Sequence, residues 1–386
     1  MGAALNGDSV LLQNLLDFGA SIDIPDPGHD GTTALRYSLV NFQLQCSRLL
    51  LAAGANTETV TFGTTPLIHA SKYNNPDSVQ MLIEAGANLE ATTTYNLNTA
   101  LIWAVEENAI ECVKLLIKAG ANKEAVNNQE ETVLMTAVKH KNIECMKLLM
   151  DAGVDLNQTV DDEIGSALIL SVHDKDCVEC LKMLVDAKAD LETKNHEDET
   201  ALMVAIEKEH GLHVKLLIDA GAIFFAADLT DGEYGSALSK AIFRDRDDYI
   251  QLMITAGLMT TPGFMLQLLY EAVEYDKYKS ADLFIKHGAQ IQSLSEHGDT
   301  PLTLAALYGS HKCIELLVSK PGVNIDAIDE NGDTSLMLVI KKHSSFCCGR
   351  DDKIACVKLL IDAGANKDIV NKVGKTSFDL AEECRE

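Results

Sequence analysis

Apolar residues fall into two short runs that alternate along the whole chain. One run closes on a glycine, as in LLDFGAS, LLLAAGAN, MLIEAGAN, LLIKAGAN and LLIDAGAN. It places Gly19, Gly54, Gly86, Gly120, Gly153, Gly221, Gly257, Gly288, Gly322 and Gly364 in one phase, with Lys188 taking the glycine's place once. The other run precedes it and opens on a hydroxyl, as in TTPLIHA, NTALIWA, ETVLMTA, GSALILS and DTPLTLA. The period stays close to about 33 residues, the mark of a stacked repeat architecture rather than of separate globular domains.

Each period predicts two short helices and a turn. Thr65, Thr99, Thr132, Thr200, Thr300 and Thr334, with Ser166 and Ser236, supply a hydroxyl where a helix N-terminus has unpaired N–H groups. Leu134 and Val138 recur at i, i+4, a core stripe for a short first helix. A second helix over Glu144–Ala152 ends at Gly153, the residue type that accepts a left-handed backbone. Leu156 to Gly165 is polar and rich in turn formers, and reads as an extended β-turn finger. Two such helices cannot bury their apolar faces alone, so neighbouring periods must stack.

The hydroxyl anchor resembles the T-P-L-H-x-A signature of ankyrin repeats, and with the glycine anchor in fixed phase the resemblance covers essentially the whole chain. It implies an all-α solenoid of helix-turn-helix units with β-turn fingers. The expected organisation is a single array over 1–386, with about ten full units and a partial unit at each end. Either the closing AEECRE caps the stack or the array continues in a longer protein. Three departures are visible. Lys188 is expected to cost about 1 kcal/mol as a left-handed non-glycine. Leu258 to Tyr270 lacks the Thr anchor, so the weakest junction is expected near 258–270. An insertion, 341–353 (KKHSSFCCGRDDK), lengthens one unit.

Composition narrows the function. Hydrophobic residues make up 47% of the chain but aromatics only 5%, so the core is aliphatic. The formal charge of −26 repels phosphate backbones, which excludes nucleic acid and anionic membrane as natural partners and favours a basic one. A monomer is expected from the same charge. No apolar run is long enough to cross a bilayer, and the ten cysteines come without a secretion signal, which points to a reducing, cytoplasmic setting.

Candidate chemistry is sparse. Cys46, Cys112, Cys145, Cys180, Cys313 and Cys356 share one phase before the second helix, the behaviour of small buried hydrophobes. Cys177 and Cys180 form a C-x-x-C without a second pair to complete a zinc site. His343, Cys347 and Cys348 in the insertion are zinc-ligand types at a spacing that matches no common module. Phosphate-binding, hydrolase and metalloprotease motifs are absent, so no catalytic residue, metal or cofactor is assigned.

The resemblance implies a concave face built from finger tips and the exposed side of each first helix. Counting from the anchor hydroxyl, the fourth residue varies (Tyr37, His69, Trp103, Thr136, Leu170, Val204, Lys240), which implies partial exposure; the seventh and eighth should be exposed. Two aromatic clusters follow: Tyr37, Phe62, His69, Tyr73, Tyr95 and Trp103 with Glu106 and Glu107, and Phe243, Arg244, Tyr275 and Tyr308. Such residues dominate interface hot spots. The expected function is a non-catalytic scaffold or adaptor that binds another protein carrying aromatic or apolar anchors and basic residues. Two rivals are a regulatory segment of a larger enzyme or channel, and a metal- or redox-responsive module built on 341–353.

Overall fold

A computed structural model of the chain describes residues 1–160, 165–225, 236–258, 260–295, 297–341 and 350–383. Among the described residues there are 23 helices, accompanied only by isolated β-bridges. Most helices alternate between a seven-residue first helix, such as Ala100–Glu106, and a nine-residue second helix, such as Ile110–Lys118.

All eight predicted hydroxyl caps form. Thr99 is extended, and its Oγ1 accepts the N–H of Ile102 at 3.3 Å. Thr65, Thr132, Ser166, Thr200, Ser236, Thr300 and Thr334 make the same bond at 3.0–3.4 Å. Each such cap is worth about 1 kcal/mol. Second helices end on left-handed glycines, for example Gly120 at φ 88°. Lys188 adopts the same conformation at φ 62°, as the sequence required.

Ala100, Leu101, Ile102, Trp103, Ala104 and Val105 are all buried, although they cover every side of a seven-residue helix. The helix is apolar all round because repeats stack on both of its flanks. Among the described residues, six fingers return to their first helices through single antiparallel bridges such as Val126↔Thr132 and Lys194↔Thr200. They are braced from within: Asn127 Oδ1 accepts the N–H groups of Gln129 and Glu131, both at 2.9 Å. Asn195, Asp329 and Asn371 repeat the device.

The helices group into two compact units, Met1–Val204 and Ala205–Glu386. In the first, a carboxylate or amide of one repeat accepts a backbone N–H of the next at five successive junctions. The pairs are Asp23–Asn56, Glu58–Asn88, Glu90–Asn122, Glu124–Asp155 and Asn157–Asp190, at 2.8–3.0 Å. The Asn or Asp that donates in turn braces its own loop by accepting an N–H two residues on, as Asn88 does from Glu90. Part of the acidic composition is therefore structural.

In the second unit the ladder recurs at Asp326–Asn366, 2.8 Å. The segment that lacks the Thr anchor folds as a longer helix, Pro262–Glu274, started by a proline and with no side-chain cap bond from Thr261. Met265, Leu268, Leu269, Ala272 and Val273 bury its inner face, and Tyr270 donates from its hydroxyl to the carbonyls of Ser293 and Asp299. Residues 342–349 of the insertion, with His343, Cys347 and Cys348, lie outside the described residues, as does the end of AEECRE.

Candidate recognition surface

The fingers of two successive repeats in the first unit carry Phe62 and Tyr95, which are 66% and 78% exposed. They are held firmly from behind. The Phe62 N–H donates to Asp30 Oδ2 at 2.7 Å, the Gly63 carbonyl accepts from the Thr94 N–H at 3.1 Å, and Asn128 donates through Nδ2 to the Tyr95 carbonyl at 2.6 Å. A side-chain carbon on Gly63 would stand 3.1 Å from the Tyr95 ring, so the tyrosine lies across a position kept bare. Phe62 itself is left-handed at φ 49°, a conformation costing about 1–2 kcal/mol for a residue with a side chain.

On the first helices, Tyr73 is 59% exposed and tilts against the half-buried His69 ring, with centroids 4.4 Å apart. Tyr37 is half-buried and donates its hydroxyl to Asp26 Oδ2 at 2.7 Å, which holds that carboxyl below its ordinary value and raises the phenol. Burial, with Arg36 and Lys72 nearby, lowers the His69 pKa to about 3, so the ring is neutral.

Three expectations need correction. Trp103 is only 8% exposed, and Lys72 Nζ sits 3.9 Å above its ring; the indole forms the floor of the surface rather than a projecting anchor. Thr136 and Val204, at the same phase, are buried as well, because neighbouring repeats close over positions that single-helix geometry leaves open. Of the two acids placed with the cluster, Glu106 accepts from Asn98 Nδ2 at 3.1 Å. Glu107 stays exposed.

Sequence reading passed over Arg36. It stands at the signature histidine position, is 4% exposed, and bonds across to the next repeat through Thr65 O at 3.1 Å and Thr64 Oγ1 at 2.8 Å. Both partners are neutral, and desolvation lowers its pKa to about 10. The available signal was a positive charge in a slot that is apolar or hydroxyl-bearing in the other anchored repeats except at Asp379.

In the second unit, Phe243 and Tyr275 pack edge to face at 5.7 Å, with Lys277 Nζ 4.8 Å from the Phe243 ring. Arg244 and Lys240 both bridge Glu207, at 3.3 and 3.0 Å, and Lys240 in particular holds that carboxyl below its usual range. Tyr308 is 37% exposed.

The described cysteines are buried and unbridged. Burial pushes the Cys112 and Cys145 thiols up to about 11, which keeps them protonated and unreactive. Cys180 is raised further by its hydrogen bond with Cys177. Among the described residues no group of three or more His, Cys, Asp or Glu could hold a metal ion, and no helix is long and apolar enough to cross a membrane.

Comparison with known proteins agrees with this anatomy. A family model described as ankyrin repeats (three copies) matches residues 1–93, 87–160, 165–261 and 269–371, breaking at the stretch where the Thr anchor is missing. The B-cell lymphoma 3 protein homolog of Mus musculus is 37% identical over 84 residues, which are 21% of this chain and 19% of that protein. The chain thus spans about a fifth of the length of that relative. The human ASB11 ankyrin repeat domain, known from a crystal structure, aligns with 57% of this chain and 97% of its own at 23% identity and a TM-score of 0.47. The repeat period, the capped helix pairs, the braced fingers and the family match together place the chain in the ankyrin-repeat family.

Proposed function

We propose that this chain is a non-catalytic scaffold or adaptor that binds another protein along the face formed by its fingers and first helices, chiefly through the first aromatic cluster. One observation carries the reading: Phe62, Tyr73 and Tyr95 project from two successive repeats at 59–78% exposure, and the backbone beneath the two finger aromatics is fixed by hydrogen bonds from neighbouring repeats. Rigid, exposed aromatics bury a large area on binding at low entropic cost. The left-handed backbone at Phe62 is a strained position of the kind that collects at functional sites. His69 packs against Tyr73, Tyr37 and Trp103 extend the same face, and the exposed Glu107, beside the Asn98-bonded Glu106, supplies the acidic complement for basic residues of a partner. The cluster of Phe243, Arg244, Tyr275 and Tyr308 forms a secondary contact strip. The protein works in the cytoplasm as a monomer and needs no cofactor.

The test is affinity capture with cross-linking mass spectrometry on the full chain, comparing wild type with a Phe62→Gly/Tyr95→Ala variant. Glycine suits the left-handed position, so the fold is preserved. Partners cross-linked near the fingers and lost from the variant support the reading. Partners retained by a variant of unchanged melting temperature overturn it.

A further inference from the structure

Where the first helices of two successive repeats turn into the second helices, a cleft of about 270 Å³ opens in the first unit. Leu39, Val40 and Phe42 form one wall; His69, Ala70, Tyr73 and Asn75 form the other. The volume lies below the roughly 300–1,000 Å³ of sites for whole small molecules, and suits a single side chain. The apolar wall is open to solvent, with Val40 43% and Phe42 62% exposed. Phe42 is left-handed at φ 56°, so a bulky ring is kept at a position where glycine would be unstrained.

The polar groups of the cleft are few. Asn75 is 7% exposed, and its Oδ1 is committed to capping the helix Pro76–Glu84 through the Ser78 N–H at 3.1 Å. That bond fixes the amide orientation and leaves Nδ2 as a donor with no acceptor among the described residues. Asn75 lines the open cleft, so Nδ2 can donate there to an acceptor brought by a ligand.

Charge says what kind of ligand. The chain carries −26, yet Arg36 and Lys72, the two cations beside the His69 wall, make no carboxylate contact among the described residues. Arg36 bonds only neutral oxygens, and Lys72 lies over the Trp103 ring. His69 stays neutral between them. On an acidic molecule, these two cations give the His69 side of the cleft a complement for carboxylates.

We propose that this cleft receives an apolar or aromatic side chain from an acidic segment of a partner protein, whose main-chain carbonyl accepts from Asn75 Nδ2 and whose flanking Asp or Glu meets Lys72. The inference rests on the reading of the first unit as a recognition surface, and gives that surface a second, oppositely charged element beside the fingers.

The test is a random peptide library displayed against the full chain, followed by fluorescence polarisation with the most enriched peptide. Enrichment of a Phe, Leu or Trp flanked by Asp and Glu is expected. Phe42→Gly, which relieves backbone strain and so keeps the fold, should weaken that peptide about tenfold or more. Lys72→Gln should weaken it about threefold or more and flatten its salt dependence. Enrichment of basic flanks, no enrichment, or an affinity unchanged in either variant overturns the proposal. Should the cleft fail while the Phe62→Gly/Tyr95→Ala variant still loses captured partners, the broader reading stands and only the cleft assignment falls.

Discussion

Truncating Trp103 separates a core residue from a binding anchor. The indole is 8% exposed, sits in a helix whose inner residues are all buried, and carries Lys72 on its face at 3.9 Å. Trp→Ala in a packed core costs about 3–5 kcal/mol. Its Nε1–H has no acceptor among the described residues, so no hydrogen bond seen there is lost, and one ring face meets a lysine rather than apolar atoms. Both facts place the expected loss at the lower end, about 3 kcal/mol. For a unit of 204 residues, Met1–Val204, about 2–4 °C is lost per kcal/mol, giving a fall of about 6–12 °C. Circular dichroism melts of wild type and Trp103→Ala measure it, since the variant loses the only tryptophan. Denaturant curves should lose stability in the first unit and spare the second, because repeats couple to neighbours. A fall below about 2 °C would refute the reasoning: the ring would then be acting as an exposed surface group.

Three further outcomes follow from the same geometry. Glu90→Ala removes the acceptor of the Asn122 N–H and should destabilise the first unit by about 1 kcal/mol in urea melts, whereas Glu107→Ala, an exposed acid outside the ladder, should change it by less than about 0.5 kcal/mol. His69 has a folded pKa near 3 against 6.5 in the unfolded chain, so the unfolded state takes up the proton first and stability falls as pH drops from about 6.5 towards 3. His69→Gln should remove part of that loss, seen as a flatter melting temperature over this window. Amide hydrogen exchange should open first around 258–270, where the anchor hydroxyl and its cap bond are missing; protection uniform along the chain would contradict this.

Much of the fold was legible because each repeat announces its own ends. The hydroxyls at Thr65, Thr99, Thr132 and their equivalents mark helix starts by a local bond, and the glycines mark helix ends by a local backbone state, so neither depends on distant contacts. Lys188 was readable on the same ground. A second left-handed position, between the two helices of a repeat, was not. It is glycine at Gly7 and Gly309, but elsewhere it is filled by Phe42, Asn74, Asn108, Lys141, Glu209, Asp245 and Asp276, residues with no common chemistry to flag it.

Features set between repeats were legible only in part. The phase of Trp103 put it on the outer side of its helix, but its burial depends on how Lys72 of the preceding repeat lies over it. The ladder acids Glu58 and Glu90 carry no local mark, because the N–H groups they accept belong to residues 30 or 32 positions on. The exposed aromatics fared better, since Phe62, Tyr73 and Tyr95 stand on fingers and helix ends that no neighbour covers.

The central claim is that the first aromatic cluster binds a partner protein. The direct measurement is the dissociation constant of a captured partner for the full chain and for its Phe62→Gly/Tyr95→Ala variant, by biolayer interferometry with melting curves in parallel. The account predicts a loss of about 2 kcal/mol or more, roughly thirtyfold, carried mainly by faster dissociation, at an unchanged melting temperature. Equal affinity for the two proteins, with both folded, would contradict it.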